Sequence, residues 1–183
     1  MIIGITGTDG AGKGTVVEYL VTHKGFTHYS SRTIIVAELE AQGRPIDRNN
    51  MRLIANELRA EHGDDFIVQK AFERIAADGC DRAVVESIRA LAEAKTLKTT
   101  DAILLAVDAE VTLRYARVQE RRSDSDKVDF ETFVAQEELE KNDPDPHGMQ
   151  KAKVMEMADY TIFNNGTREE LEIATEEFLA NFS

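Results

Sequence analysis

The chain has 183 residues and a net charge of −12, with 42% apolar and 31% charged residues. That length and balance describe one soluble domain with a single sizeable core, and no apolar run approaches the ~20 residues of a membrane-spanning helix. The acidic surplus argues against a nucleic-acid partner, since neutralising a phosphate backbone needs a basic face; a small anion can still bind where a few arginines converge.

Residues 1–6 carry no basic leader and run straight into a glycine-rich turn, so no secretion signal is expected. The single cysteine, Cys80, excludes an internal disulfide and fits a reducing, cytoplasmic setting.

In chain order, the apolar pattern and its punctuation predict a buried strand at 2–5, a glycine turn, and a helix at 13–23. A second strand follows at 26–29. Helices are predicted at 33–41, 48–61 and 65–77, separated by Gly43-Arg44-Pro45 and by Gly63. Strands at 83–85, 102–107 and 160–163 complete a set of five. Helices are predicted at 91–98, 111–121, 130–141, 149–157 and 168–181, with Asp129 and Thr167 as N-caps. Residues 142–148, with Pro144 and Pro146, read as a stiff connector. Short apolar strands alternating with helices predict a single α/β domain over 1–183, with a five-stranded parallel sheet between two helical layers. Ligands of such sheets bind at the carboxyl ends of the strands.

One motif falls at such an end. Gly7-Thr8-Asp9-Gly10-Ala11-Gly12-Lys13-Gly14-Thr15 follows the first strand and opens the first helix. Glycines let the backbone curl so that successive N–H groups converge on phosphate oxygens, the helix terminus adds partial positive charge, and Lys13 supplies a mobile cation. This context, strand before and helix after, makes Asp9, Gly10, Ala11, Gly12, Lys13, Gly14 and Thr15 the predicted triphosphate-binding residues. Gly14 stands where many such loops carry a Ser or Thr, which removes a hydroxyl ligand for magnesium.

The Gly-Lys-Gly-Thr ending resembles adenylate kinases and other nucleoside monophosphate kinases. Val84-Val85-Glu86-Ser87-Ile88-Arg89 and the final strand with Asn164-Asn165-Gly166 look like the corresponding segments of nucleotide kinases and dephospho-CoA kinase-like proteins. The resemblance implies a P-loop NTPase fold, ATP and Mg2+ as cofactors, and transfer of the γ-phosphoryl group to a small phosphorylated acceptor, foremost a nucleoside or deoxynucleoside monophosphate. Dephospho-CoA kinase-like activity is one alternative, and an ATPase switch acting on a protein partner is another. The resemblance to thymidylate kinases at Asp9-Gly10-Ala11-Gly12-Lys13 is weakened by the absence of their Asp-Arg motif.

By the same resemblance, Lys13 and Glu86 are catalytic, Glu86 being also the metal ligand, and Asn164 and Gly166 lie beside the adenine. Arg89 grips the acceptor phosphate. Residues 31–79 hold the acceptor-binding helices, with Ser31, Arg32 and Arg59 as candidates; Val36 occupies the place where an arginine is expected. Arg114, Arg117 and Arg121 share one helix face by their spacing. In the resembling families that helix leads into a mobile lid, here about 117–128, which makes Arg117 and Arg121 candidates for stabilising the transferred charge. Small-molecule nucleotides are thus the expected partners, with neither a nucleic acid nor a membrane.

Overall fold

The computed structural model describes residues 1–121 and 128–182. Five strands, β1 (Ile2–Gly7), β2 (Thr27–Ser30), β3 (Ala83–Glu86), β4 (Ile103–Asp108) and β5 (Tyr160–Phe163), form one parallel sheet in the order β2-β3-β1-β4-β5.

Side chains alternate across such strands, and both sides are apolar here. Ile3, Ile5, Val84, Leu105, Val107 and Ile162 pack under α1 (Lys13–Lys24) and α9 (Arg168–Asn181), against Val16, Leu20, Leu171 and Phe178. Ala83, Val85 and Leu104 face the other way. They meet Val68 and Ala71 of α4 (Phe66–Ala77), Leu97 of α5 (Leu91–Leu97) and Val154 of α8 (Lys151–Glu156). This is the expected three-layer arrangement, and among the described residues no helix is long and apolar enough to cross a membrane.

The remaining helices frame the carboxyl edge of the sheet. α2 (Ser31–Ala41) and α3 (Arg48–His62) lie between β2 and α4, while α6 (Val111–Glu120) and α7 (Phe130–Lys141) follow β4. From β1 the chain moves to one side of the sheet for β2 and β3, then crosses to the other for β4. That reversal opens a crevice beyond the ends of β1 and β3.

The predicted caps are present. Asp129 accepts from the Thr132 N–H at 2.7 Å, and Thr167 and Glu170 cap α9 reciprocally.

The boundaries differ in three instructive places. β1 runs two residues beyond 2–5 because Thr6 and Gly7 continue the ladder with Ala106 and Val107. α2 starts at Ser31 rather than 33, its hydroxyl donating to the Glu86 carbonyl at 2.7 Å. The helix expected at 149–157 shrinks to Lys151–Glu156, since the Gln150 N–H is held by the Arg89 carbonyl at 2.9 Å.

Candidate active site

The phosphate loop joins β1 to α1 through two left-handed glycines. Gly10 has φ +80° and Gly12 +104°, and a Cβ would meet the Arg114 carbonyl at 2.4 Å and the Asn164 amide at 2.5 Å respectively, so both positions demand glycine. α1 has no side-chain cap, whereas α3, α7 and α9 are capped by Asp47, Asp129 and Thr167. Lys13, Gly14 and Thr15 line the cleft at this uncapped end, where helix N–H groups lack helical partners. A Cβ on Gly14 would meet nothing within 4 Å.

Lys13 folds back along its own loop, donating to the carbonyls of Gly7 at 3.1 Å and Thr8 at 2.7 Å, with Asp9 at 3.7 Å. Burial pulls its ammonium down to about 8, against the opposing field of Asp9. The loop is braced from outside by two contacts. The Thr8 hydroxyl donates to Asp108 at the end of β4, 2.6 Å, and the Asn164 amide donates to the Ala11 carbonyl, 2.8 Å.

Glu86 ends β3 beside the phosphate loop, in register with Ile5 and Ser30. His28 Nε2 lies 3.2 Å from its carboxylate. That contact, with the nearby charges of Lys13 and Arg89, outweighs burial and holds the carboxyl below its usual range. The next residue, Ser87, has φ +72°; a left-handed non-glycine residue costs about 1–3 kcal/mol. The strained turn brings Glu86, Ser87 and Arg89 onto one wall of the cleft.

The opposite wall comes from α2 and α3. Ser31 and Arg32 line it, the Arg32 guanidinium meeting the Met51 sulfur at 2.9 Å rather than a carboxylate. Arg89 faces the Met149 sulfur at 3.7 Å, with the Glu140 carboxylate at 4.0 Å. Arg59 also borders the cleft, yet its guanidinium is occupied. It is 3% exposed and donates to Glu93 through Nε and a terminal nitrogen at 3.1 and 2.8 Å. The other oxygen of Glu93 accepts from the N–H groups of Arg89 and Ala90, both at 2.9 Å. Arg59 therefore supports the strand-end loop through a buried pair.

The three arginines expected on one face of α6 separate. Arg114 is buried, paired with Glu137 and donating to the Ala109 carbonyl at 2.7 Å and to the Asp9 carbonyl at 3.3 Å. It braces the phosphate loop. Arg117 and Arg121 line the cleft. Arg117 donates to the carbonyls of Asn164 at 2.9 Å and Gly166 at 3.1 Å, so these two carbonyls, expected beside a base, already hold a guanidinium. Of the segment 117–128 read as a lid, residues 122–127 lie outside the described residues.

The structure adds residues that sequence reasoning did not single out. Glu140 of α7 and Lys151 of α8 join Asp9 and Arg48 in a buried ionic group, with Arg48 2.7 Å from Asp9 and Lys151 2.9 Å from Glu140. One signal for them exists: Phe133, Glu137 and Glu140 share a helix face, and all three are buried. Carboxylates on the same stripe as a core phenylalanine imply buried cations opposite.

These walls enclose a cleft of about 650 Å³. Eight arginine and lysine side chains line it against four carboxylates, although the whole chain carries −12. The cleft is thus a local inversion of the molecular charge, suited to anions.

A five-stranded parallel sheet, a glycine loop with its lysine at the central strand, an acid at the neighbouring strand end and an arginine-rich cleft define a P-loop protein. Residues 3–144 match the AAA_18 family, described as an AAA domain, and the chain belongs to it. It is similar to UPF0200 protein TK1334 of Thermococcus kodakarensis, 29% identical over 94% of this chain and 92% of that one. UPF0200 protein MMP1282 of Methanococcus maripaludis is 26% identical over 90% and 88%. Among solved structures, shikimate kinase from Acinetobacter baumannii in complex with shikimate superposes with a TM-score of 0.60, at 18% identity over 98% of this chain and 93% of that one. Shikimate kinase from Bacteroides thetaiotaomicron gives 0.63, at 14% identity over 98% of both. At such identities these neighbours report a common fold.

Proposed function

We propose that this protein is an ATP-dependent small-molecule kinase whose acceptor already carries a phosphate, foremost a nucleoside or deoxynucleoside monophosphate. The observation that carries the reading is the charge inversion of the cleft, with cations on both sides of the transfer position. Lys13 and the uncapped helix terminus serve the donor phosphates on one side. Arg89 and Arg32, which face thioethers, serve an acceptor phosphate on the other. A thioether is a weak acceptor, so an incoming phosphate offers each guanidinium a far better partner.

Glu86 suits magnesium. Mg2+ keeps most of its waters and takes one or two carboxylates besides phosphate oxygens, and Glu86 is a half-buried, ionised carboxylate beside the phosphate loop. The metal would supply neutralisation of phosphate charge. With no hydroxyl at position 14, Glu86 would be the group that holds it, with Thr15 near the phosphates. Arg117 and Arg121 would meet the charge that spreads over the transferring oxygens, where planar guanidinium forks are effective. Ser31 would hold the acceptor side in register through its tie to the Glu86 carbonyl.

The test is product analysis with Mg-ATP and a panel of ribo- and deoxyribonucleoside monophosphates, dephospho-CoA and shikimate. Phosphorylation of a monophosphate is expected. ATP hydrolysis indifferent to every acceptor would overturn the kinase reading in favour of an ATPase switch. Transfer to shikimate or to dephospho-CoA alone would overturn the choice of acceptor.

A further inference from the structure

Glu140 poses a problem that its surroundings answer. It lines the cleft, is 4% exposed, and carries a negative charge into a space suited to phosphate. A carboxylate there should repel the ligand unless it is offset and put to use. Both conditions hold. One oxygen, Oε1, accepts from Arg48 Nε at 2.8 Å and lies 2.6 Å from a terminal nitrogen of the same guanidinium. The other, Oε2, accepts from Lys151 at 2.9 Å and lies 4.0 Å from Arg89.

Lys151 is 2% exposed and lies outside the cleft lining, so it reaches Glu140 from behind. Burial pushes the Glu140 carboxyl up, and Lys151, with Arg89 and Arg48, more than offsets it, so that it stays ionised. Arg48 and Arg89 are 23% and 30% exposed, and both line the cleft. The order from interior to cleft is therefore lysine, carboxylate, two arginines. Such a relay holds both arginines at the cleft surface while Lys151 cancels the carboxylate that aims them.

We propose that Glu140 is the positioning residue for phosphate capture on the acceptor side, holding Arg48 and Arg89 at the cleft surface, with Lys151 as its buried countercharge. The arrangement also reaches the donor side. Arg48 lies 2.7 Å and Lys151 3.5 Å from Asp9 of the phosphate loop, so the acceptor-side arginines are set relative to the loop that holds the donor. The proposal rests on the reading of Arg89 as an acceptor-phosphate ligand.

The experiment uses the full chain saturated with Mg-ADP, which fills the phosphate loop, and inorganic phosphate as the probe. Calorimetry reads phosphate binding for the wild type, Glu140→Gln and the double variant Glu140→Gln/Lys151→Met. The double variant removes both buried charges together and so guards against simple misfolding. Phosphate is expected to bind the wild type and to bind both variants about tenfold more weakly, the loss expected when charge-assisted contacts are mis-set, a larger loss than any change in ADP affinity. Equal phosphate binding in wild type and double variant would overturn the proposal. So would a parallel loss of ADP and phosphate, which marks a structural role, or a wild type that binds no phosphate. No step needs turnover, so a failed acceptor panel with intact phosphate binding would count against the kinase reading alone.

Discussion

The depressed ammonium of Lys13 makes a prediction that separates binding from folding by sign. In the ligand-free protein its pKa falls from 10.5 to about 8 because burial disfavours the charge. A bound triphosphate brings several negative charges to the same ammonium and must raise its pKa again. With a free-state value of about 8, about one Lys13 in eleven is protonated at pH 9, so ATP affinity there should be about tenfold below that at pH 7. The ligand cannot supply this slope, since a terminal phosphate ionises near pH 6.

Folding moves the other way. A lysine depressed in the folded state costs stability below about 8, and that cost is relieved as pH rises toward the unfolded value of 10.5. Between about pH 8 and 10, the Lys13 contribution to stability should therefore grow while Mg-ATP affinity falls. Calorimetric titration of ATP in two buffers of different ionisation enthalpy would read both affinity and proton uptake. Lys13→Arg, always charged, should bind ATP with no pH slope in this range. A wild-type affinity that stays flat to pH 9.5, with no proton taken up, would refute the argument.

Other perturbations follow from the same geometry. Glu86→Gln keeps the shape of the strand end and removes its charge; metal-free ATP binding should hardly change while magnesium-dependent turnover falls by on the order of a hundredfold, and full activity across a magnesium titration would leave the carboxylate a structural part. Arg59→Met strands Glu93 in the interior and should cost about 3–5 kcal/mol in chemical denaturation, with Arg59→Met/Glu93→Gln recovering much of it; a loss under 1 kcal/mol would contradict the buried-pair reading. Gly14→Ser should fold normally, because a Cβ there meets nothing within 4 Å, and it should tighten magnesium in the ATP complex by supplying the missing hydroxyl; a large drop in melting temperature would show that the open space is not real.

The parts of the site legible in the sequence are those fixed by local constraints. Gly10 and Gly12 are required by left-handed backbone and close approach, and Lys13 follows from its place at a helix start after a buried strand, so the phosphate loop can be read without a fold. The strands were legible because a sheet covered on both faces leaves unbroken apolar runs. Strand and helix ends moved by a residue or two where a tertiary bond decided them, as with Gln150 on Arg89. The fate of each arginine was not legible, for one physical reason. Whether a guanidinium faces ligand or core depends on whether a carboxylate lies behind it, and the carboxylate comes from a distant element.

Arg59 finds Glu93 across 34 positions and Arg114 finds Glu137 across 23, while Arg52 finds Asp143 across 91. Sequence spacing put Arg114, Arg117 and Arg121 on one face, but α6 ends at Glu120, and a single partner on α7 turns Arg114 into a brace for the phosphate loop while Arg117 and Arg121 line the cleft. This sorting also reconciles an acidic chain with an anion-binding cleft. The carboxylates that buffer the arginines lie mostly in the interior, where each spends its charge on fixing a guanidinium. Arg32 is left against sulfur, and Arg89 against sulfur with Glu140 no nearer than 4.0 Å, and their positive field is felt where phosphate would sit. The surface can then stay strongly acidic, which favours solubility, because binding depends on the few charges within a Debye length of the ligand, roughly 8 Å at physiological salt, and hardly on the total.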